Sequence, residues 1–494
     1  MTSGRTIAGG FLWTGGATYI SQALSAVATL LLAKYVPVAD MGIFSLASLV
    51  IGWLALVRGL GLGIALLHEE RDLTEASATA FWLLLAAGVV LAALSLLAAP
   101  LAARAFASPA MQPVVQVLGV SFILYSLTSV QETLLIKELR FRVRALTGLA
   151  GTLVYTVIAV ILAVQGLGVW SIVYAQLAQM VCQGAIFWVI SPFRPSFHFN
   201  WAVAKRLLRF GNSVFLNDAL IFLILTLDRP ILGRALGVVT VGQYDFAYRL
   251  GNYPQSMVTN SLYSVILPVY TRLRGQPVEL KRVYLTTIRY ITYLAAPLAF
   301  ALVLISPPFL RLLYGDKWAP AIPLLQALSF FGLISAIVGP TGSVFYGMGK
   351  PHRQLLIHIV KFVALFPALY FVALSYGALG VAVYITAVAL ALGIVSVLWT
   401  NRMLAIRPLE YIGVIVGPLA LAGLLAAAGL AATPHLPVPA ESIPGFLMLA
   451  VGFGVTYVGL LLLLDSDLRS RAAALASHPR LTIAGLLAEK AKKS

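Results

Sequence analysis

Cysteine is almost absent. Cys182 is the only one in 494 residues, so the chain forms no internal disulfide and has no thiolate cluster for a metal. Charge is also scarce, at 10% of residues, where a soluble domain carries about 25%. Acids are the rarer sign: 17 Asp and Glu stand against 34 Lys and Arg, a net +17. No basic, aromatic-rich soluble segment accompanies that excess, so nucleic acid is not the partner it implies. Long loops are missing as well. The short connections hold no paired carboxylates and no nucleophile motif, which argues against a membrane polymerase or ligase and against an enzyme in general.

What remains is apolar. Hydrophobic residues make up 60% of the chain, and mean hydropathy is +0.94. Runs of about 20 apolar residues, each long enough to cross a bilayer core, recur along it. The expected fold is an all-α polytopic membrane protein with about fourteen transmembrane helices, over 9–33, 41–66, 78–103, 113–136, 146–164, 169–190, 210–233, 238–266, 284–306, 320–345, 355–375, 379–399, 411–431 and 443–464. The first run is too long for a signal-peptide core and reads as a retained helix.

Basic residues orient these segments. One set of alternate loops holds seventeen Lys and Arg, among them Lys137, Arg140, Arg142, Arg144, Arg194, Lys205 and Arg206. The opposite set holds five: Lys34, Arg104, Arg234, Arg311 and Lys317. The positive-inside rule makes the first set, both termini and the tail cytoplasmic.

The chain divides into a first six-helix bundle at 1–190, a cytoplasmic linker at 191–209, a second bundle at 210–401, two further helices at 402–465 and a tail at 466–494. Under a shift of two hundred residues, "AKYVPVADMGIFSLA" from Ala33 falls on "GRALGVVTVGQYDFA" from Gly233, pairing Val38 with Val238 and Gly42 with Gly242. Six segments in each half give a parallel repeat, two pseudo-symmetric bundles around a central cavity that rocking exposes to alternate sides.

Asp228 followed by "LGRALGVVTVGQY", "LIKELRFRVRA" before the fifth segment and "GMGKPHRQLLI" before the eleventh carry a resemblance over about residues 5–400. The chain resembles the Wzx-type flippases of the polysaccharide transporter family, in the multidrug/oligosaccharidyl-lipid/polysaccharide exporter superfamily. The resemblance implies movement of undecaprenyl-diphosphate-linked oligosaccharides across the bacterial inner membrane for exopolysaccharide, capsule or O-antigen synthesis. It implies no cofactor beyond a proton or sodium gradient, with a polysaccharide polymerase and its co-polymerase as candidate partners beside the membrane lipids. A cation-coupled exporter of small amphiphiles and a peptidoglycan-precursor flippase are the alternatives on the same plan.

The candidate working residues are the charges within spans, because a charge at the bilayer centre costs about 3 kcal/mol and usually faces a bundle interior or water. Arginine offers a planar fork that matches phosphate oxygens, so Arg58 and Arg249 lead for the diphosphate, followed by Lys361. Tyr244, Tyr248, Asn252 and Gln255 suit sugar hydroxyls and apolar sugar faces. Asp245 and Arg249, four apart, share a helix face as an ion pair. Asp228 and Arg229 are expected at the cavity mouth, with Asp245 and Arg249 deeper, as coupling or gating groups. Asp218 is the candidate proton carrier, with a structural hydrogen bond as the rival reading. Pro254 is expected to bend or break the eighth segment.

Overall fold

Lipid supplies no partner for a bare backbone, so a segment in the hydrocarbon closes its hydrogen bonds within itself as a helix. The computed structural model describes residues 2–58, 62–69, 72–465 and 468–470, and the side chains of all of these but 2–15, 57, 64, 209–219 and 257–265. Among the described residues, regular structure is helical throughout. The first helices are α1 (Thr2–Tyr35), α2 (Val38–Arg58), α3 (Leu62–His68), α4 (Leu73–Ala105), α5 (Met111–Leu118), α6 (Val120–Lys137), α7 (Phe141–Val164) and α8 (Val169–Ile190). After an extended stretch come α9 (Trp201–Thr226), α10 (Asp228–Leu236), α11 (Val238–Gly251), α12 (Tyr253–Arg272), α13 (Pro277–Tyr314), α14 (Ala321–Gly347) and α15 (Pro351–Met403). Finally, α16 (Pro408–Ala432) and α17 (Ile443–Leu464) pack on α13.

Eleven of the described helical stretches are long and apolar enough to cross a membrane, which makes this a multi-pass membrane protein. One of these stretches, α15, holds two of the fourteen expected segments, and the expected seventh and eighth, 210–233 and 238–266, lie on α9 to α12 outside the eleven. Segments 355–375 and 379–399 are the two helical stretches of α15, separated as expected by a kink at Gly377 with φ 65° and ψ −162°, a conformation open to glycine alone at low cost. The eighth segment is two helices, α11 and α12, broken at Asn252 with Pro254 in the first turn of the second. There the missing N–H of proline removes no hydrogen bond. Within the expected linker, 191–209, the chain is extended to Asn200, whose side chain accepts from Ala202 N and Val203 N and so starts α9.

Tyrosines fasten the last two helices to α13. The Tyr284 ring lies 6.4 Å from that of Tyr411 and 6.4 Å from that of Tyr270. Tyr457 donates to Tyr293 O at 3.3 Å, and the Tyr293 hydroxyl bonds Asp465. The largest buried cluster lies elsewhere, where α2 meets α11, and includes Leu46, Met111, Phe122, Tyr244, Phe246 and Trp318.

The α2–α11 crossing lies at the end of the molecule with few basic residues. A Cβ on Gly42 would stand 1.8 Å from Val238 O, and one on Gly242 would stand 2.2 Å from Val38 O. The positions that the two-hundred-residue shift pairs in sequence thus lie against each other here. Gly242→Val should force these backbones apart at about 1–3 kcal/mol and lower the thermal unfolding midpoint in detergent. Gly413→Val is the control, because a Cβ there meets nothing within 4 Å, and it should leave the midpoint unchanged.

Candidate functional site

Two short helices position the charged groups. Asp228 opens α10, where the exposed N–H groups of a first turn favour an anion. Pro230 sits in the same turn without losing a bond. Gly237 reverses the chain into α11, and the four-residue helical spacing then aligns Tyr244 with Tyr248 and Asp245 with Arg249 against the start of α10.

The result is a continuous ionic chain. Arg229 N and Nη1 donate to Asp228 Oδ1 at 2.9 and 3.2 Å, and Tyr244 OH donates to Oδ2 at 2.6 Å. Arg229 Nε donates to Asp245 Oδ1 at 2.8 Å, and Arg249 Nε donates to Oδ2 at 2.7 Å. Arg229 also donates to Leu225 O at 3.1 Å, and its guanidinium lies 4.4 Å from the Tyr248 ring centre. The side chains of Asp228, Arg229 and Asp245 are 7%, 11% and 11% exposed, whereas that of Arg249 is 53% exposed. Arg249 therefore binds Asp245 through Nε while about half of its side chain stays exposed to open space.

That space is a cavity of about 750 Å³ between α1, α7 and α8 on one side and α10, α11 and α12 on the other. Its walls differ. The wall from α10 to α12 contributes Arg229, Asp245, Tyr248, Arg249, Asn252, Tyr253 and Ser256. The facing wall is mostly uncharged: Thr18, Ser21, Gln22, Ser25 and Thr29 from α1, Thr152 from α7 and Gln183 from α8. At the basic end Arg144 Nε donates to Glu132 Oε1 at 2.9 Å, closing the charge account of the mouth.

The expected residues separate in this arrangement. Asp245, Arg249, Tyr248 and Asn252 line the cavity, and the Asp245–Arg249 pair forms as its spacing predicts. Asp228 and Arg229 do not stand at a mouth. They are buried at 6% and 9% exposure, and Arg229 joins Asp228 to Asp245. Tyr244 is fully buried behind the chain and does not line the cavity. Gln255 does not line it either. Arg58 stacks at 3.5 Å on the Tyr125 ring, away from the cavity. Lys361 lies 5.6 Å from the Phe331 ring, which in turn packs on Tyr248 at 5.7 Å. The side chain of Asp218 lies outside the described residues. Among the described residues, no three His, Cys, Asp or Glu are grouped to hold a metal.

Sequence reading missed the neutral wall and the Glu132–Arg144 mouth. The signal was present: 18, 21, 25 and 29 recur at helical spacing on one face of an otherwise apolar run.

Comparison with known proteins agrees with this architecture. Several solved structures share the fold. One is described as "Lipid II flippase MurJ, inward closed conformation", at a TM-score of 0.74 and 13% identity, covering 91% of this chain and 98% of that one. An inward-facing MATE family multidrug resistance transporter follows at 0.64 and 20%, covering 78% and 94%. Among curated relatives, the lipopolysaccharide biosynthesis protein WzxC of Escherichia coli is 22% identical over 76% of this chain and 77% of its own. The succinoglycan biosynthesis transport protein ExoT of Rhizobium meliloti is 25% identical over 60% of each chain. The teichuronic acid biosynthesis protein TuaB of Bacillus subtilis is 22% identical over 60% of this chain and 62% of its own, so the match spans about three fifths of ExoT and TuaB. The sequence profile of the family described as "Polysaccharide biosynthesis protein" matches residues 31–323, more than half the length, and the chain belongs to that family.

Proposed function

We propose that this protein is a flippase carrying undecaprenyl-diphosphate-linked oligosaccharides across the bacterial inner membrane by alternating access, driven by a proton or sodium gradient. The observation that carries the proposal is Arg249. A membrane-embedded cavity presents the Arg249 side chain, steadied at Nε by Asp245, opposite a wall of hydroxyls and amides. Guanidinium recognises phosphate oxygens bidentately, and a neutral polar wall suits sugar hydroxyls. The volume falls within the range of sites that bury a small ligand. A relative described as a lipopolysaccharide biosynthesis protein and a fold neighbour described as a Lipid II flippase support the same reading. The basic end, where the cavity begins, is cytoplasmic on this reading, as are both termini. The head group therefore enters from the cytoplasmic leaflet.

Deleting the gene should abolish the polysaccharide and accumulate a complete diphosphate-linked repeat unit, seen by mass spectrometry of the lipid pool. Unchanged polymer and lipid pools would overturn the proposal. The two arginines should then separate by readout. Arg249→Gln should keep abundance and cut transport about 10- to 100-fold, the worth of a charged hydrogen bond. Arg229→Met leaves buried Asp228 without its cation and takes one of two arginines from Asp245, at about 3–5 kcal/mol, and should lower the amount of folded protein. Equal losses of abundance in both variants would argue against this division of roles.

A further inference from the structure

The end of the molecule with few basic residues holds a second set of contacts between the halves. A helix leaves its last carbonyls without donors of its own. At the end of α1 those donors come from the segment that closes α13, some 280 residues away in sequence. Lys317 Nζ donates to Ala33 O at 2.9 Å, Lys34 O at 3.1 Å and Val36 O at 2.7 Å. Trp318 Nε1 donates to Ala33 O at 2.8 Å, and Tyr314 OH donates to Leu30 O at 2.9 Å. Ala33, Val36 and Trp318 are fully buried. An ammonium has three donors, and here all three end on one helix terminus. A cation at that terminus also meets the negative end of the helix dipole.

The same residues touch the ionic site from behind. The Trp318 ring lies 4.2 Å from that of Phe246, and the Tyr314 ring lies 6.0 Å from it. Phe246 follows Asp245 in α11, so neighbouring residues of one helix face the cavity and this contact. The helix capped at its end, α1, also supplies the uncharged wall of the cavity. Both walls of the site thus run into one cluster.

We propose that Tyr314, Lys317 and Trp318 are positioning residues forming a latch. They hold the end of α1 against the second half, close the cavity at its sparsely charged end, and sense α11 through Phe246. This rests on the alternating-access reading above. Opening that end requires α1 to leave the cluster. Lys317 is half-buried and its bond to Lys34 O is exposed, so water reaches the ammonium as that bond breaks and the latch can release and re-form. Apolar packing alone would seal the end without naming a register. A lysine with three carbonyl partners sets one position of α1.

The test labels one cysteine from either side of the membrane. Cys182→Ser removes the native thiol, and Ser25→Cys places one on the cavity wall of α1. An impermeant maleimide is then applied to membrane vesicles of each orientation. In this background Lys317→Met should raise labelling from the sparsely charged side about tenfold, the population change expected for two or three lost hydrogen bonds. Lys317→Arg, which keeps several donors, should restore the parental pattern. Parental labelling in the Lys317→Met protein at equal abundance would overturn the latch. If that variant does not accumulate, Lys34→Cys with Asp316→Cys in the Cys182→Ser chain, which keeps Lys317 and is joined by a short bis-maleimide, decides the matter. The joined protein should lose transport, and undiminished transport would overturn the latch. Labelling needs no cargo, so it answers whether or not the transported molecule is a lipid-linked oligosaccharide.

Discussion

Arg229 sits between two carboxylates in a place where none of the three could stand alone. Its backbone and side chain satisfy Asp228, its Nε satisfies Asp245, and Tyr248 covers its face. Within a membrane the charge must be neutralised on the spot, because neither water nor salt screens it. Two helices that carry such charges are therefore held in one relative position. Arg249 inherits that position through Asp245 and can present a fork to the cavity without freedom to swing.

The rest of the cavity follows from where the charges are not. Apart from the Glu132–Arg144 pair, the charges of the lining lie on α10 and α11, so α1 needs only neutral hydrogen-bonding groups, and Ser, Thr and Gln at helical spacing supply them. An amphiphile with one anionic group and many hydroxyls finds both requirements met across a single gap. A drug-like cation would find its acids already bound to arginines.

Much of this was legible in the amino-acid sequence, and the limits are physical. Asp245 and Arg249 were readable as a pair because a helix repeats every 3.6 residues and brings i and i+4 together. The bridge from Arg229 to Asp245 was not, because it spans sixteen residues and depends on how Gly237 turns the chain. Hydropathy marked Arg58 as deep but carried no information on which way it faces, and it stacks on Tyr125 instead of the cavity. Lys317 read only as one stray charge among few. Nothing local to it says that the end of α1 lies within reach. Membrane segments were visible as apolar length, and both interruptions were marked in the sequence, by Pro254 beside the break at Asn252 and by the gap between 375 and 379 where Gly377 turns the chain.

The tyrosine fastening of α16 and α17 has a mechanical consequence. Those helices brace α13 through Tyr284, Tyr411, Tyr293 and Tyr457, and α13 ends in the segment that meets α1. Among the described residues the first half carries no such outrigger, and α1 packs chiefly on α7. If the protein works by the alternating access proposed above, the braced half is the stator and α1 with its neighbours the rotor.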